Sequence, residues 1–366
     1  QLERIDAVAE SWRGKLRIPE LAMAVMGDAL KEEIDIDEPT RIAKLRQRIR
    51  EAGRMSFAVP DSLNAVLRDY QTDGYEWMMR LAHWGAGACL ADDMGLGKTM
   101  QSIAFMLAHA SEGPQLVAAP ASVVSNWYDE IVRFAPTMKV TLLNDCTTAD
   151  RNNAIGGLSE GCILLTSYGL LVSEQETLCE REWTTVVLDE AHTIKNRETK
   201  TSAAVMKLKT ENRIILTGTP VQNHLGELWN LFRFVNPGLL GSYEHFTQTF
   251  LNPINTGDVI ARDSLKRLVA PFMLRRTKQE VVLELPDKTE ITHSDMREDG
   301  TVKVCFEQPV ADGFKTCYWE LPTYRNFDVE GYGENELADQ RKYLESMAHL
   351  IIRFSRNGGF ENASGF

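Results

Sequence analysis

The sequence predicts an α/β fold: a parallel sheet with helices on both faces, preceded by a short helical region and followed by a small α+β module. Three observations carry this. Between residues 60 and 290, short apolar runs rich in Val, Ile and Leu recur, which suits parallel strands buried on both faces. Helical patterns lie between several of them, and that alternation implies βα units. After about residue 295 the pattern changes to two strand-like runs around a turn, then one long helix.

In chain order, residues 1–57 read as a helical N-terminal region. Its best-defined helix runs from Asp37, a side-chain cap, to Gly53, a stop, with Pro39 near the first turn where its missing N–H costs nothing. Ile42, Leu45 and Ile49 repeat at spacings of three and four and make one apolar face. Arg41, Lys44, Arg46, Arg48 and Arg50 cover the others as a solvated face, which phosphate could also touch. The lobe at 58–290 has strand candidates at Ala88–Ala91, Leu116–Ala119, Val140–Leu143, Cys162–Thr166, Thr185–Leu188 and Arg213–Leu216. Helical patterns cover Met100–Ala110 and Val124–Phe134. The module at 296–366 has strand candidates at Lys303–Gln308 and Lys315–Leu321 around the turn Ala311-Asp312-Gly313. Its helix, from about Glu336 to Arg356, puts Leu337, Leu344, Met347, Ile351 and Phe354 on one stripe and stops at Asn357-Gly358-Gly359. The aromatic residues Phe314, Tyr318, Trp319, Tyr324 and Phe327 are expected to form the core of this module rather than a base-stacking platform.

Composition narrows the class. Apolar residues make up 43% of the 366 and charged residues 25%, the balance of a globular protein rather than a disordered one. No stretch approaches the ~18 apolar residues of a membrane span, and no charged-then-apolar leader opens the chain, so a cytoplasmic place is expected, or a nucleoid-associated or nuclear one. Gln1 in place of Met reads as a piece of a longer protein or a processed one. The net charge of −12 argues against an all-over basic coat but allows a basic groove on an acidic body. Cys89, Cys146, Cys162, Cys179, Cys305 and Cys317 include no Cys-x-x-Cys pair, which leaves free thiols rather than a zinc ribbon.

The chemistry sits in the middle of the chain. Asp92-Asp93-Met94-Gly95-Leu96-Gly97-Lys98-Thr99 follows a strand candidate and opens a helix. Gly-Lys-Thr at such a turn is a phosphate cradle, in which backbone N–H groups and the helix N-terminus face the phosphates and glycine lets the backbone come close. Candidate nucleotide contacts run from Asp93 to Met100; Lys98 reaches the β- and γ-phosphates and Thr99 holds Mg²⁺. Asp92 stands where the motif usually begins with glycine. Asp189-Glu190-Ala191-His192 closes the apolar strand Val186-Val187-Leu188, the pattern in which Asp189 binds Mg²⁺ and Glu190 orients or deprotonates the attacking water. Thr217-Gly218-Thr219-Pro220 closes the next strand, where hydroxyls can link the nucleotide site to a neighbouring surface, although the same residues are also good turn formers. Gln71, ahead of the phosphate loop, can read adenine because its amide is donor and acceptor at once.

Taken together, in this order and spacing, these elements resemble the Swi/Snf-type ATPases of helicase superfamily two, in a bacterial or archaeal-like form. The resemblance covers about Leu63 to Glu290. It extends to Pro120-Ala121-Ser122 with Asn126-Trp127, to Leu165-Thr166-Ser167-Tyr168, to Ile194-Lys195-Asn196, to Gln222-Asn223, and to Pro271-Phe272-Met273-Leu274-Arg275-Arg276-Thr277-Lys278. It implies a RecA-like ATP-binding lobe with an acidic DEAH-type box, and ATP-driven movement along double-stranded DNA without strand separation. It further implies that Thr217, Gly218 and Thr219 couple hydrolysis to movement. Ser125, Asn126, Thr166 and Lys195 become candidates for gripping DNA phosphates, contacts that position without reading sequence.

The family pattern stops after about Ser294. A motor of this type has a second lobe that supplies arginine fingers, and the residues that follow are too few for one. Residues 291–366 carry eight basic and thirteen acidic side chains, a poor DNA grip. The expectation is therefore an ATP-binding lobe whose second lobe lies elsewhere in the full protein or on a partner, weakly active or inactive alone. The alternative is a non-catalytic nucleotide-binding assembly module with a partner-binding tail; a P-loop enzyme acting on a small molecule is a third reading.

Overall fold

The computed structural model describes residues 10–12, 15–17, 20–24, 40–218, 225–278, 289–310 and 313–356. They fall into two compact units, Gln1–Arg276 and Thr277–Phe366.

The first unit opens on a departure from the expected helical region. Strands β1 (Glu10–Trp12) and β2 (Lys15–Arg17) pair antiparallel, with Ser11 opposite Leu16. Three residues are too few to display a two-residue period, so pattern alone passes over them. Helix α1 (Thr40–Ala52) buries Ile42, with Leu45 and Ile49 packed against the same core. Arg46, read as part of a solvated face, is in fact buried, and its Nη2 donates to the Met23 carbonyl at 3.2 Å. Asp37 and Pro39 lie outside the described residues.

Seven strands build the central sheet: β3 (Ala88–Leu90), β4 (Gln115–Ala119), β5 (Lys139–Leu142), β6 (Cys162–Ser167), β7 (Glu182–Leu188), β8 (Lys209–Leu216) and β9 (Met273–Leu274). Their order is β5-β6-β4-β7-β8-β3-β9, and every pairing is parallel. All six expected strands are present; β9, two residues long, has no periodic signal to find. The strands are buried on both faces because alternate residues enter different cores. Leu90, Val117 and Val187 face one, with α2 (Asp69–His83), α3 (Lys98–Ala108) and α4 (Ala121–Phe134) over it. Cys89, Leu116, Val186 and Leu188 face the other, which α5 (Tyr168–Ser173) covers. Helix α6 (Leu225–Val235) feeds both, through Phe232 and Phe234. The chain enters β3 through a close approach. A Cβ on Gly87 would lie 2.3 Å from the Val235 carbonyl oxygen. The Asn236 amide accepts from the Gly87 N–H at 2.9 Å and donates to its carbonyl at 3.3 Å.

The second unit is an antiparallel meander of β10 (Glu290–His293), β11 (Val302–Val310), β12 (Gly313–Leu321) and β13 (Arg325–Glu330), with helix α7 (Glu334–Arg356). The expected hairpin is β11–β12; β10 and β13 widen it. Val302, Val304, Phe306, Cys317, Trp319 and Leu321 form a core with Leu344, Ala348 and Ile351, joined at its edge by Leu337 and Met347. The side chain of Phe354 and the stop at Asn357 lie outside the described residues. The aromatic residues do not all enter this core. Trp319 does, its indole donating to Gln340 Oε1 at 2.9 Å, and Tyr324 packs at the rim. Tyr318 and Phe327 instead stack on each other, centroids 5.9 Å apart, with Lys303 Nζ 3.7 Å from the Tyr318 ring centre; Phe314 is 61% exposed. Strand alternation decides this, since Tyr318 and Trp319 are neighbours and must point to opposite faces. The same rule separates two cysteines: Cys305 stands opposite Tyr318 and Cys317 opposite Phe306.

Candidate active site

Register brings the three motifs together. Strands β7, β8 and β3 are neighbours, with Leu188 opposite Ile215 and Leu90 opposite Leu216. Their C-terminal ends are therefore level, and the residues that follow each end lie at one edge of the sheet, the usual ligand position in an open α/β sheet.

At the end of β3 the glycine-rich loop expected to bind phosphate turns through two left-handed glycines, Gly95 at φ 88° and Gly97 at φ 74°, and α3 starts at Lys98. The Lys98 ammonium donates to the carbonyls of Asp92 at 2.6 Å and Asp93 at 3.2 Å, using two of its three protons. Burial pushes the Lys98 ammonium below the usual lysine range, while Glu190, Asp92, Asp189 and Asp93 push it back. Thr99 and Met100 are half-buried, Met94 is 71% exposed, and Leu96 buries its side chain, leaving only its backbone for a ligand. Gln71 lies against this loop. Its Oε1 accepts from the Arg68 N–H at 3.0 Å and its Nε2 donates to the Leu96 carbonyl at 3.3 Å. A Cβ on Gly97 would fall 2.3 Å from Gln71 Nε2, so this contact demands glycine twice over, for space and for φ. The amide's second N–H and second lone pair are not used by these two bonds.

At the end of β7, Asp189 is held on every side. Oδ1 accepts from the Glu190 N–H and Oδ2 from the Trp127 indole N–H, both at 2.8 Å. Its N–H donates to the Ala118 carbonyl at 2.9 Å, and its carbonyl accepts from the Tyr168 hydroxyl at 2.7 Å. Burial raises the Asp189 carboxyl above the ordinary range; the Trp127 and Glu190 donors oppose that, and the Glu190 charge adds to it. Burial likewise raises the Tyr168 phenol, helped by the charges of Asp189 and Glu190, so it stays a donor. Glu190 adopts a left-handed backbone, φ 46°, a conformation that costs a non-glycine residue about 1–3 kcal/mol and often marks a functional site. Its Oε2 lies 3.2 Å from His192 Nδ1. At the end of β8, Thr217 is buried and its N–H donates to the Leu90 carbonyl at 3.2 Å. A Cβ on Gly218 would lie 3.5 Å from Met94 Cγ, which puts this turn against the phosphate loop. Thr219 lies outside the described residues.

Over residues 70–299, which hold these three adjacent strand ends, the sequence matches a known family model, the SNF2-related domain. The chain belongs to this family. It is 43% identical to YwqA of Bacillus subtilis (strain 168) over 240 residues, 63% of this chain and 26% of that protein. It is 40% identical to the chromatin-remodeling ATPase INO80 of Arabidopsis thaliana over 253 residues, 64% of this chain and 17% of that protein. Among solved structures it is similar to the SWI2/SNF2 ATPase core of Sulfolobus solfataricus in complex with double-stranded DNA. That match has 41% identity and a TM-score of 0.56, over 63% of this chain and 49% of that one. The chain thus spans about a quarter or less of these two sequence relatives.

Within this SNF2-related domain the DNA-contact candidates separate. Ser125 and Asn126 are exposed on α4. Thr166 is fully buried in β6, its hydroxyl donating to the Ser167 carbonyl at 3.3 Å. Lys195 is 7% exposed, and its Nζ sits 3.1 Å from Glu227 Oε2. As placed here, neither Thr166 nor Lys195 offers its side chain to a phosphate. The sequence places Asp92, Trp127, Tyr168 and Arg276 within motifs but gives none of these four residues the role in shaping the site that the structure shows. The available signal was an acid directly after a fully apolar strand, since a buried carboxylate needs a paired cation. Nothing in the sequence says which cation answers Asp92, because Arg276 is 184 residues away.

Proposed function

We propose that residues 58–290 hold the ATP-binding lobe of a DNA-dependent ATPase that moves along double-stranded DNA. The observation that carries this is the level ends of β3, β8 and β7, which gather Lys98, Thr217 and the Asp189–Glu190 pair at one edge of the sheet. The SNF2 membership of the chain, and the duplex bound by its Sulfolobus relative, support the DNA part.

The donor set fits Mg²⁺. Among the described residues no group of three or more His, Cys, Asp or Glu gathers, and Mg²⁺ is commonly held by one or two carboxylates, waters and substrate phosphates rather than by an all-protein cage. Thr99 and Asp189 would hold it, and when bound it neutralises charge on the β- and γ-phosphates. The chain's own residues do the rest. Backbone N–H groups from Asp93 to Met100 and the start of α3 bind the phosphates. Lys98 leaves the loop carbonyls to meet the same oxygens. Gln71 presents its amide to adenine. Glu190 orients the attacking water and accepts its proton. Thr217 and Gly218, with Thr219, link the phosphate loop to the adjoining surface, and Ser125 and Asn126 grip the DNA backbone.

The second lobe lies elsewhere in the full protein or on a partner, and with it the arginine finger, an element worth about 10³–10⁵ in rate. This chain alone therefore binds nucleotide, binds DNA weakly and hydrolyses ATP slowly or not at all. The test is ATP turnover with and without a DNA duplex, beside Glu190→Gln and Lys98→Ala. Saturable nucleotide binding that Lys98→Ala abolishes supports the reading; DNA-stimulated turnover of about 1 per second or more, the low end of ordinary enzymes, overturns the half-site part of it. For cellular place, the nucleoid or nucleus suits a DNA motor.

A further inference from the structure

Arg276 is the last residue of the first compact unit, yet it is bonded into the start of the nucleotide site. Its N–H and its Nε both donate to Asp92 Oδ1, at 3.0 and 3.1 Å, and its Nη2 donates to Asp92 Oδ2 at 2.5 Å. Asp92 is wholly buried, so this is a paired interior charge rather than a surface contact. The same guanidinium reaches two other segments. Nη2 donates to Gln101 Oε1 at 3.0 Å, and Nη1 donates to the carbonyl of Tyr70, the residue before Gln71. Gln101 in turn donates from Nε2 to the carbonyls of Leu96 and Gly97, at 3.4 and 3.3 Å. The backbone completes the arrangement: the Asp93 N–H donates to the Arg276 carbonyl at 3.0 Å, and the Ala91 N–H to the Leu274 carbonyl at 2.7 Å.

One side chain thus touches the entry to the phosphate loop through Asp92, its exit through Gln101, and the adenine-side helix through Tyr70. Only a planar fork with five donors can serve these acceptors together; a lysine has the charge without the geometry. The site is also built to admit it. A Cβ on Gly74 would lie 1.9 Å from Gln101 Oε1 and 2.9 Å from Arg276 Nη2, so any larger residue there would displace both groups.

We propose that Arg276 and Asp92 form a positioning clamp that couples nucleotide occupancy of the phosphate loop to the segment of chain leaving the ATP-binding lobe. This deepens the reading of the site as an ATP site and rests on it. The route is one residue long. Lys98 rests on the carbonyls of Asp92 and Asp93. The clamp holds the side chain of the first and the N–H of the second. A nucleotide that draws Lys98 away changes the bonding of the two residues that Arg276 grips. By linkage, whatever pulls on Arg276 alters nucleotide affinity by the same factor.

The test is amide hydrogen exchange over residues 273–278 of the full chain, with and without saturating ADP and Mg²⁺, in the wild type, Arg276→Lys and Asp92→Asn. The expected result is that ADP changes exchange of the Arg276 amide at least about fivefold in the wild type, the low end of ordinary coupling. In each variant that response collapses below twofold while ADP still binds saturably, and the double variant's loss of ADP affinity equals that of either single one rather than their product. A structural role alone would lower the melting temperature and leave the nucleotide response intact. No ADP response at residues 273–278 in a wild type that binds ADP overturns the clamp, and needs no variant to fold. Independent, multiplicative losses of affinity overturn it as well. A wild type that does not bind ADP overturns the ATP-site reading itself, and the clamp with it.

Discussion

Trp127 offers the cleanest perturbation of the acid pair. Its indole N–H is one of two donors that fix the Asp189 carboxylate, at 2.8 Å, and the ring is almost wholly buried. Trp127→Phe keeps an aromatic ring in place and removes that one donor. A hydrogen bond to an ionised group contributes about 1.5–3 kcal/mol, which corresponds to roughly 10–150-fold in an equilibrium constant. Partners of metal-binding residues commonly cost about 10–100-fold in metal affinity when removed. The sign with pH follows. Burial already raises the Asp189 carboxyl and the Trp127 bond opposes it, so the variant's carboxyl rises further and protonates at higher pH. Mg²⁺-dependent nucleotide binding should then need about 10–100-fold more Mg²⁺ and fail at higher pH as the solution is acidified. The assay is an Mg²⁺ titration of fluorescent-ADP binding at several pH values, with metal-free binding and melting temperature as controls. An Mg²⁺ midpoint within twofold of wild type in a folded variant would refute the claim that this bond sets the carboxylate.

Other outcomes follow from the same physics. Gly74→Ala drives a Cβ into Gln101 and Arg276 and should cost about 1–3 kcal/mol; an unchanged urea midpoint would contradict the close approach. Asn236→Ala strands the Gly87 N–H and carbonyl in the interior, at about 1–3 kcal/mol for each group left unpaired, read by the same unfolding curve. Ser125→Ala with Asn126→Ala should weaken binding of a DNA duplex by about 1–3 kcal/mol and leave ADP affinity unchanged; equal loss of both would place these residues in the fold rather than the interface. Native alkylation at pH 8 should spare Cys89, pushed up to about 12 by burial, and Cys317, pushed up to about 11 mainly by burial. Thiolate is the attacking form, so early labelling of either residue by mass spectrometry would show that its core opens.

The strands and the glycine turn between β3 and α3 were legible because their signals are local. A buried parallel strand must be continuously apolar, a phosphate turn must carry glycine, and an acid pair must end its strand. The family resemblance rested on those same residues. Elements without a continuous apolar run were not legible: β1, β2, β10 and β13 mix apolar with polar or charged residues over three to six positions, whereas β3, as short as β1 and β2, is apolar throughout. Facing was harder still. Arg46 buries a charge that a helical wheel assigns to solvent, and Lys195 and Thr166 lie under surfaces that their polarity suggests they should line.

The sequence by itself determined the parallel α/β sheet and the order of the motifs along it, because each depends on residues close together in the chain. Only the tertiary structure decided which groups meet. Asp92, Gln101 and the Tyr70 carbonyl converge on Arg276, beside Gly74, and Trp127 reaches Asp189 across 62 positions. Such pairings depend on strand order and register, and the cost of burying an unpaired charge then makes them obligatory once the sheet has formed.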